Sequence, residues 1–360
     1  MFSAADHEFM EQALELAGRG LYTTTPNPRV GCVIVGDGAV VGTGWHEKAG
    51  MPHAEVLALK AAGVRSRGAT LYVNLEPCSH HGRTPPCVDA VIAAGVKRVV
   101  AAMQDPNPKV SGAGFAKLRA AGITVEHGLK ADEARELNIG FFARMTRGRP
   151  WVRMKIAASL DGRTALANGT SQWITGEAAR QDGHRWRARA CALLTGFGTV
   201  RDDDPQLNVR GVDTPRQPLK IVVDSKFETS ASARLLKEGK TLVVGAVNEE
   251  RKIAALKAAG AEVIIIPNDR GKVELFKLME ELARRELNEI HVEAGTKLNG
   301  SFFQAGVVDE LLVYLAPSVI GDSGRGMFNL PEFTRLSQAT ALKIRETERV
   351  GADLRILARV

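Results

Sequence analysis

The feature that most narrows what this chain can fold into is an alternation. Over the first 130 residues, segments with helical apolar spacing take turns with short apolar runs that suit strands. Asp6 to Ala17 places Phe9, Met10, Ala13, Leu14 and Ala17 on one helical stripe, which Gly18 and Gly20 end. Val30–Val35 and Val40–Trp45 flank the turn Gly36-Asp37-Gly38 and predict a hairpin. Helices are expected at His53–Ala62, Cys87–Ala94 and Phe115–Ala121, each closed by a glycine, and strands at Thr70–Asn74, Val96–Met103 and Ile123–His127. This order calls for a layered α/β domain.

The polar stretch Arg144–Pro150 marks a boundary, and a second α/β set follows it. Strands are expected at Trp151–Ala157, Ala192–Thr195, Leu219–Val223, Thr241–Val247, Glu262–Ile266, Glu289–Val292, Glu310–Leu315 and Leu354–Val360. Helices are expected at Glu177–Arg189, Glu249–Ala259 and Val273–Arg285. A length of 360 residues suits two domains, here 1–147 and 148–360.

Composition excludes some classes and leaves others open. No stretch approaches the roughly 20 apolar residues of a membrane span. Asp6, Glu8, Glu11 and Glu15 make the first segment an amphipathic helix instead of a secretory leader, so a cytoplasmic protein is expected. Four cysteines (Cys32, Cys78, Cys87 and Cys191) point to metal ligation or core packing, not to a disulfide framework. A net charge of +7 suits nucleic acid and phosphorylated small molecules equally.

The strongest chemical signal is His53-Ala54-Glu55, followed by Pro77-Cys78 and Pro86-Cys87. Catalytic zinc takes three protein ligands and keeps one position for water, which it makes far more acidic. One imidazole and two thiolates meet that count, and Glu55 is placed to move protons, the general pattern of zinc deaminases. Cys87 opens a helix, where thiolate is favoured over thiol. Two residues along a regular helix turn roughly 200°, so His53 and Glu55 reach one metal only if His53 sits at the mouth of the helix. The competing account, surface polar residues and core cysteines, explains any one of these residues but not their joint pattern. Cys32 and Cys191 are better read as buried small hydrophobes.

Eight residues separate Cys78 from Cys87, where nucleic-acid and nucleoside deaminases commonly have two. The string Pro77-Cys-Ser-His-His-Gly-Arg-Thr-Pro-Pro-Cys87 resembles the bifunctional riboflavin-biosynthesis deaminase–reductase family. So do Thr25-Pro-Asn-Pro-Arg-Val-Gly31, Gly42-Thr-Gly-Trp-His46 and Asp105-Pro-Asn-Pro-Lys-Val-Ser-Gly-Ala-Gly114. The resemblance implies a cytidine-deaminase-like three-layer α/β domain with a mixed sheet, then a dihydrofolate-reductase-like α/β domain. It implies deamination of 2,5-diamino-6-ribosylamino-4(3H)-pyrimidinone 5′-phosphate, then reduction of the product's ribosyl group to ribityl with NADPH. Carried over, His53, Cys78 and Cys87 hold one Zn2+ and Glu55 is catalytic. Asn27, His46, His80, Arg83, Asp105 and Asn107 would bind the deaminase substrate. Pro-Asn-Pro is also a strong turn sequence, so Asn27 and Asn107 have a competing reading as turn residues.

In the second half no Gly-x-Gly-x-x-Gly follows the first strand. Two Gly-rich loops leave strand ends, Thr195-Gly-Phe-Gly-Thr199 and Glu293-Ala-Gly-Thr-Lys-Leu-Asn-Gly-Ser301, where ligands usually bind. Lys155-Ile-Ala-Ala-Ser-Leu-Asp-Gly162, Ser171-Gln-Trp-Ile-Thr175 and Thr199-Val-Arg-Asp-Asp-Asp-Pro205 resemble the same family's reductase domain. The resemblance puts Ala157, Trp173, Thr199, Asp203, Ser225, Gly295, Thr296, Lys297, Leu298, Asn299, Gly300 and Ser301 at the NADPH site. It puts Ser171, Arg187, Leu207, Arg210 and Glu293 at the substrate; it names no proton donor, for which Lys155 and Asp161 are the candidates in the same segment. On composition alone, Arg187 would be a solvated helix charge and Trp173 core packing.

The rival reading is a nucleic-acid or nucleoside deaminase with an accessory α/β domain. Only 5% of residues are aromatic, few for a base-stacking groove, and the cysteine spacing differs. The expected partners are phosphorylated pyrimidines, with no nucleic acid and no membrane, and the expected assembly is a homo-oligomer (dimer or tetramer).

Overall fold

The structure, a computed structural model, describes residues 1–80 and 85–360. The chain divides into two compact units, Met1–Gly148 and Arg149–Val360. The first contains α1 (Ala4–Gly18), β1 (Gly31–Gly36), β2 (Ala39–Trp45), α2 (Ala54–Ala62), β3 (Thr70–Val73), α3 (Cys87–Ala93), β4 (Arg98–Ala101), α4 (Ala113–Ala120), β5 (Thr124–His127), α5 (Ala131–Leu137) and α6 (Ile139–Arg147). Its sheet runs β2-β1-β3-β4-β5. The β1 strand pairs antiparallel with β2 and β3, whereas β3, β4 and β5 are parallel.

Alternation along the strands builds three layers. Cys32, Ile34, Leu71, Val73 and Val99 pack with apolar residues of α2, α3 and α4, while Val33, Val35, Tyr72 and Val100 pack with those of α1, α5 and α6. The α2 helix lies directly on the hairpin because a Cβ at Gly42 or Gly44 would stand 2.3 or 2.4 Å from the carbonyl oxygen of Ala58 or Ala54. That contact sets where α2 begins, and so where His53 and Glu55 stand. The α1 helix opens on a capping box between Ser3 and Asp6. The Asp6 carboxylate also takes the Tyr72 hydroxyl (2.7 Å) and the Arg98 guanidinium (2.6 Å).

The second unit contains β6 (Trp151–Ser159), β7 (Arg163–Ala165), α7 (Glu177–Arg189), β8 (Ala192–Gly196), α8 (Phe197–Asp203), β9 (Leu219–Val223), β10 (Thr241–Gly245), α9 (Glu250–Ala258), β11 (Glu262–Ile265), α10 (Leu275–Arg284), β12 (Glu289–Val292), α11 (Thr296–Gln304), β13 (Glu310–Ala316), β14 (Arg325–Gly326), β15 (Lys343–Val350) and β16 (Asp353–Arg359). The main sheet runs β11-β10-β9-β8-β12-β6-β13-β16-β15, parallel through β13 and antiparallel at its last two pairings. Met154, Leu194, Ile221, Val244 and Val292 pack on one face with α10 and α11, while Val222 and Val243 pack on the other with α9. Among the described residues no helix is long and apolar enough to cross a membrane.

Four expectations change. The stretch Arg144–Pro150 is not all linker, because α6 runs to Arg147 and ends on Gly148 in the left-handed region (φ 65°). The apparent loops at Thr195–Thr199 and Glu293–Ser301 are strand-to-helix junctions that enter α8 and α11 directly. Gly300 belongs in a helix for a tertiary reason: a Cβ there would lie 2.0 Å from the Asn329 carbonyl oxygen. The sequence pattern also missed β15, whose residues are exposed on both faces and carry no alternation to read.

Candidate active sites

In the first unit, strand ends and helix starts deliver the metal donors. His53 is the N-cap of α2, with extended backbone (φ −75°, ψ 164°), and Glu55 is the second residue of the helix. The geometric requirement on the pair is therefore met: the cap residue leaves the helical rotation before Glu55 enters it. Cys87 is the first residue of α3, and Cys78 lies in the segment after β3. The His53 Nδ1 atom stands 3.0 Å from Cys87 Sγ and 3.5 Å from Cys78 Sγ. The three donors lie within 4.8 Å of one another. Tetrahedral zinc with ordinary Zn–N and Zn–S lengths separates its ligands by about 3.5–3.8 Å, so this donor set fits the ion.

Electrostatics agree with that fit. The Cys87 thiol, His53 and the Cys87 backbone N–H (3.2 Å) all favour the Cys78 thiolate, and together they lower its pKa to about 4 against the effect of burial. Glu55 is 3% exposed, its Oε2 has no hydrogen-bond partner among the described residues, and burial raises its carboxyl to about 7. A buried carboxylate oxygen left without a partner is costly unless a ligand meets it.

The structure brings Asn27 and His46 together. The Asn27 amide nitrogen is 3.0 Å from His46 Nε2, and His46 Nδ1 is 3.2 Å from the Pro52 carbonyl, which makes Nε2 the acceptor. The buried His46 ring, its pKa lowered by desolvation, meets His53 edge-on at 5.1 Å. The Asn27 side chain thus serves a neighbour at the site and not only its own turn. Asn107 behaves differently: its Oδ1 accepts the Lys109 N–H, and its own N–H donates to Asp105, which is turn chemistry. Asp105 is buried, and desolvation raises its carboxyl to about 7. His80 has a buried Nδ1 with no partner among the described residues. Arg83 lies outside the described residues.

In the second unit the polar cluster comes from distant segments. Arg187 of α7 grips Glu293, at the end of β12, through two bonds of 2.5 and 2.7 Å, and donates to the Asn208 carbonyl at 3.0 Å. Lys155 of β6 shares this neighbourhood; burial lowers its pKa, and Glu293 opposes that shift. His184 and His291, which sequence reasoning missed, border the cluster. The His184 Nδ1 accepts the Arg210 N–H, and burial beside Arg187 and Arg210 lowers its pKa to about 4. His291 Nε2 is 3.3 Å from Glu293. Neither histidine stands in a motif, so only spatial proximity reveals them. Asp161 does not join the group: it accepts from Ser159, Ile320 and Gly321, bonds that hold its carboxyl near 2. Arg210 reaches Asn208 and Gln206 on the surface, and Leu207 is buried with a left-handed backbone (φ 49°).

The expected cofactor residues gather at the carboxyl ends of parallel strands. Ala157 is in β6, Thr199 and Asp203 are in α8, and Ser225 follows β9. Gly295 caps α11, which holds Thr296, Lys297, Leu298, Asn299, Gly300 and Ser301. Burial, with Asp202 nearby, raises the Asp203 carboxyl. Trp173 is 69% exposed under the Arg180 guanidinium (4.7 Å), not packed in the core, and Ser171 is two residues away. Thr195 Oγ1 and Asn299 Oδ1 are buried at this edge without partners among the described residues. The β8 and β12 strands lead into helices that begin beside these atoms, which fits a dinucleotide laid across the strand ends.

Comparison with known proteins joins the two halves. Residues 3–103 match the cytidine and deoxycytidylate deaminase zinc-binding region, and residues 150–356 match the RibD C-terminal domain. The riboflavin biosynthesis protein RibD of Escherichia coli K12 is 48% identical over 362 residues, which cover 97% of this chain and 98% of that protein. A solved structure of Acinetobacter baumannii RibD superposes with a TM-score of 0.91 at 44% identity, covering 99% of this chain and 98% of that one. A diaminohydroxyphosphoribosylaminopyrimidine deaminase/5-amino-6-(5-phosphoribosylamino)uracil reductase from Thermotoga maritima gives 0.88 at 32% identity, with 99% and 98% covered. With both domains present and near-complete coverage, the chain belongs to the RibD family, bifunctional enzymes of riboflavin biosynthesis that pair a zinc-dependent deaminase with an NADPH-dependent reductase.

Proposed function

We propose that the first unit deaminates 2,5-diamino-6-ribosylamino-4(3H)-pyrimidinone 5′-phosphate and that the second reduces the ribosyl group of the product to ribityl. The observation that carries this reading is the meeting of His53, Cys78 and Cys87 within 4.8 Å, beside a buried carboxylate whose Oε2 has no partner among the described residues. Bound at that triad, zinc supplies the Lewis acidity that activates water at neutral pH. Glu55 takes the water proton on Oε2 and returns it to the departing amine. Asn27, pinned to His46 through its amide nitrogen, keeps its carbonyl oxygen for the pyrimidine edge. His80, Asp105 and Asn107 form the rest of that wall, and Arg83 is the cation for the phosphate end.

In the second unit NADPH supplies the hydride. Ala157, Thr199, Asp203, Ser225, Trp173 and the α11 residues Gly295 to Ser301 hold it. Ser171, Leu207 and Arg210 bind the sugar phosphate, while the Arg187–Glu293 pair orients the ribosyl group. Lys155 is the proton donor. It lies half-buried within electrostatic reach of Glu293, whereas Asp161 is taken up by the N–H groups of Ile320 and Gly321 and the Ser159 hydroxyl.

The substrate is a small phosphorylated pyrimidine and not a nucleic acid, and the enzyme is a cytoplasmic homo-oligomer. The edge strand β15, with Ile344 63% exposed, supports that assembly. The decisive experiment supplies the diaminopyrimidinone phosphate with and without NADPH and follows ammonia and NADPH oxidation separately. Ammonia release without NADPH, and oxidation only after deamination, are expected. Oxidation that precedes ammonia release would overturn the order.

A further inference from the structure

Glu76 belongs to neither the metal triad nor the substrate wall, yet its carboxylate joins them. It is 3% exposed and accepts three backbone N–H groups: Phe115 (3.1 Å) on Oε1, and Asp105 (3.1 Å) and Gly112 (2.9 Å) on Oε2. Its own N–H donates to the Met103 carbonyl at 2.9 Å. Gly112 is the N-cap of α4 and Phe115 lies in its first turn, where amides lack intrahelical partners and negative charge is favoured. Asp105 sits at the other end of the same loop. The contact is tight from both sides, because a Cβ on Gly114 would lie 2.3 Å from the Pro77 carbonyl oxygen and 3.0 Å from Glu76 Oε1. One buried carboxylate therefore ties both ends of residues 105–112 to a segment that supplies Cys78 two residues later. A carboxylate so buried persists only because its oxygens are bonded.

We infer that Glu76 is a positioning residue for deamination. It holds Asp105 and Asn107 at a set distance from the triad, so that the ribose-phosphate end of the substrate and the reacting ring carbon are bound in register. The inference rests on the reading of Asp105 and Asn107 as substrate-binding. His53 and Cys87 are presented by the starts of α2 and α3, and Cys78 Sγ accepts the Cys87 backbone N–H at 3.2 Å, so the triad has supports of its own besides this carboxylate.

Glu76→Gln is nearly isosteric but removes the charge, and in either amide orientation it turns an N–H toward a backbone N–H. The Michaelis constant for deamination rises roughly tenfold, while kcat stays within about threefold. Zinc remains at one per chain, and reduction of the deaminated intermediate is unchanged. Glu76→Asp keeps the charge but withdraws it by one methylene, so the rise is smaller; this variant carries the test if the Gln protein does not fold. In a cycle with Asp105→Ala, the rise in the double variant is smaller than the product of the two single rises, because both changes act on one loop. Loss of zinc, an equal fall in kcat and kcat/KM, or effects that simply multiply would each overturn the inference. If Asp105→Ala raises the Michaelis constant and neither Glu76 variant does, the role of Glu76 alone fails. If Asp105→Ala leaves it unchanged, the substrate reading fails and the inference falls with it.

Discussion

The two polar centres are built from opposite materials. In the deaminase unit, His53 and Cys87 are 34 positions apart, and these two donors are presented by the cap and the first turn of short helices. In the reductase unit, Arg187 and Glu293 are 106 positions apart, and the cluster is an ion pair closed between a helix and a strand end. A centre whose geometry follows from local backbone conformation advertises itself as a spaced motif. A centre that forms only when distant segments pack leaves single charges scattered along the chain. The contrast also divides the energetics, because the triad is tied to metal binding and the ion pair to folding of its unit.

The sharpest test of the local centre is Glu55→Gln. Deamination falls by roughly a thousandfold or more, within the range expected for loss of a general acid–base. Metal analysis still finds one zinc per chain, and reduction of the deaminated intermediate is unchanged. Loss of zinc along with activity would make Glu55 a structural part of the metal centre and break the distinction.

The corresponding test of the long-range centre compares Lys155→Met with Asp161→Asn. Reduction falls by about a hundredfold or more for Lys155→Met and by less than about fivefold for Asp161→Asn, measured by NADPH oxidation on deaminated intermediate. The reverse order would return the proton donor to the loop near Gly321. Deamination is unaffected in both.

What the sequence made legible follows this same division. His53, Glu55, Cys78 and Cys87 could be assigned because residue type and spacing already imply a cap, a first turn, three ligand positions and a proton carrier beside them. Asn27 and His46 could be named only by resemblance, and the hydrogen bond that joins them could not be read, because it spans 19 positions. Glu76 was invisible for the same reason: its three partners are backbone amides, which carry no residue signature. Among elements, α11 was hidden by Gly295 and Gly300, and the backbone of Asn329 overrides the low helix propensity of Gly300. The α6 helix was obscured by its basic end, although Phe141 and Phe142 anchor it in the core.

A smaller effect separates the two Pro-Asn-Pro turns. Asn27→Ala removes a side chain held at the site by His46 and raises the Michaelis constant for deamination by roughly tenfold. Asn107→Ala removes a turn bond to Lys109 as well as any substrate contact, so a loss of about 1 kcal/mol in stability accompanies its kinetic change. Thermal unfolding beside steady-state kinetics distinguishes them. Equal stability losses with unchanged kinetics in both would make both residues turn formers.

The smallest kinetic effect belongs to the deaminase unit's own long-range ion pair, and it sharpens the comparison most directly. Asp6 and Arg98 are 92 positions apart, and Arg98 also holds Glu126 at 2.6 Å, yet none of these residues lies at the metal centre. The Arg98 guanidinium, with bonds from Ser3 and Tyr72, holds the Asp6 carboxyl well below the ordinary carboxylate range. A depressed folded-state pKa contributes stability that is present above the unfolded value near 3.9 and is lost as pH falls toward the folded value. Asp6→Asn therefore lowers the stability of the first unit at neutral pH, by roughly 1–3 kcal/mol for charge-assisted bonds of this kind. The gap to the parent protein narrows steadily below about pH 4. Steady-state deamination at 25 °C stays within about twofold of the parent, because Asp6 supports the sheet and touches no reacting group. A pH-independent stability gap would remove the ion pair as the cause. A large fall in turnover would show that long-range charge pairs serve chemistry in both units and not only in the second.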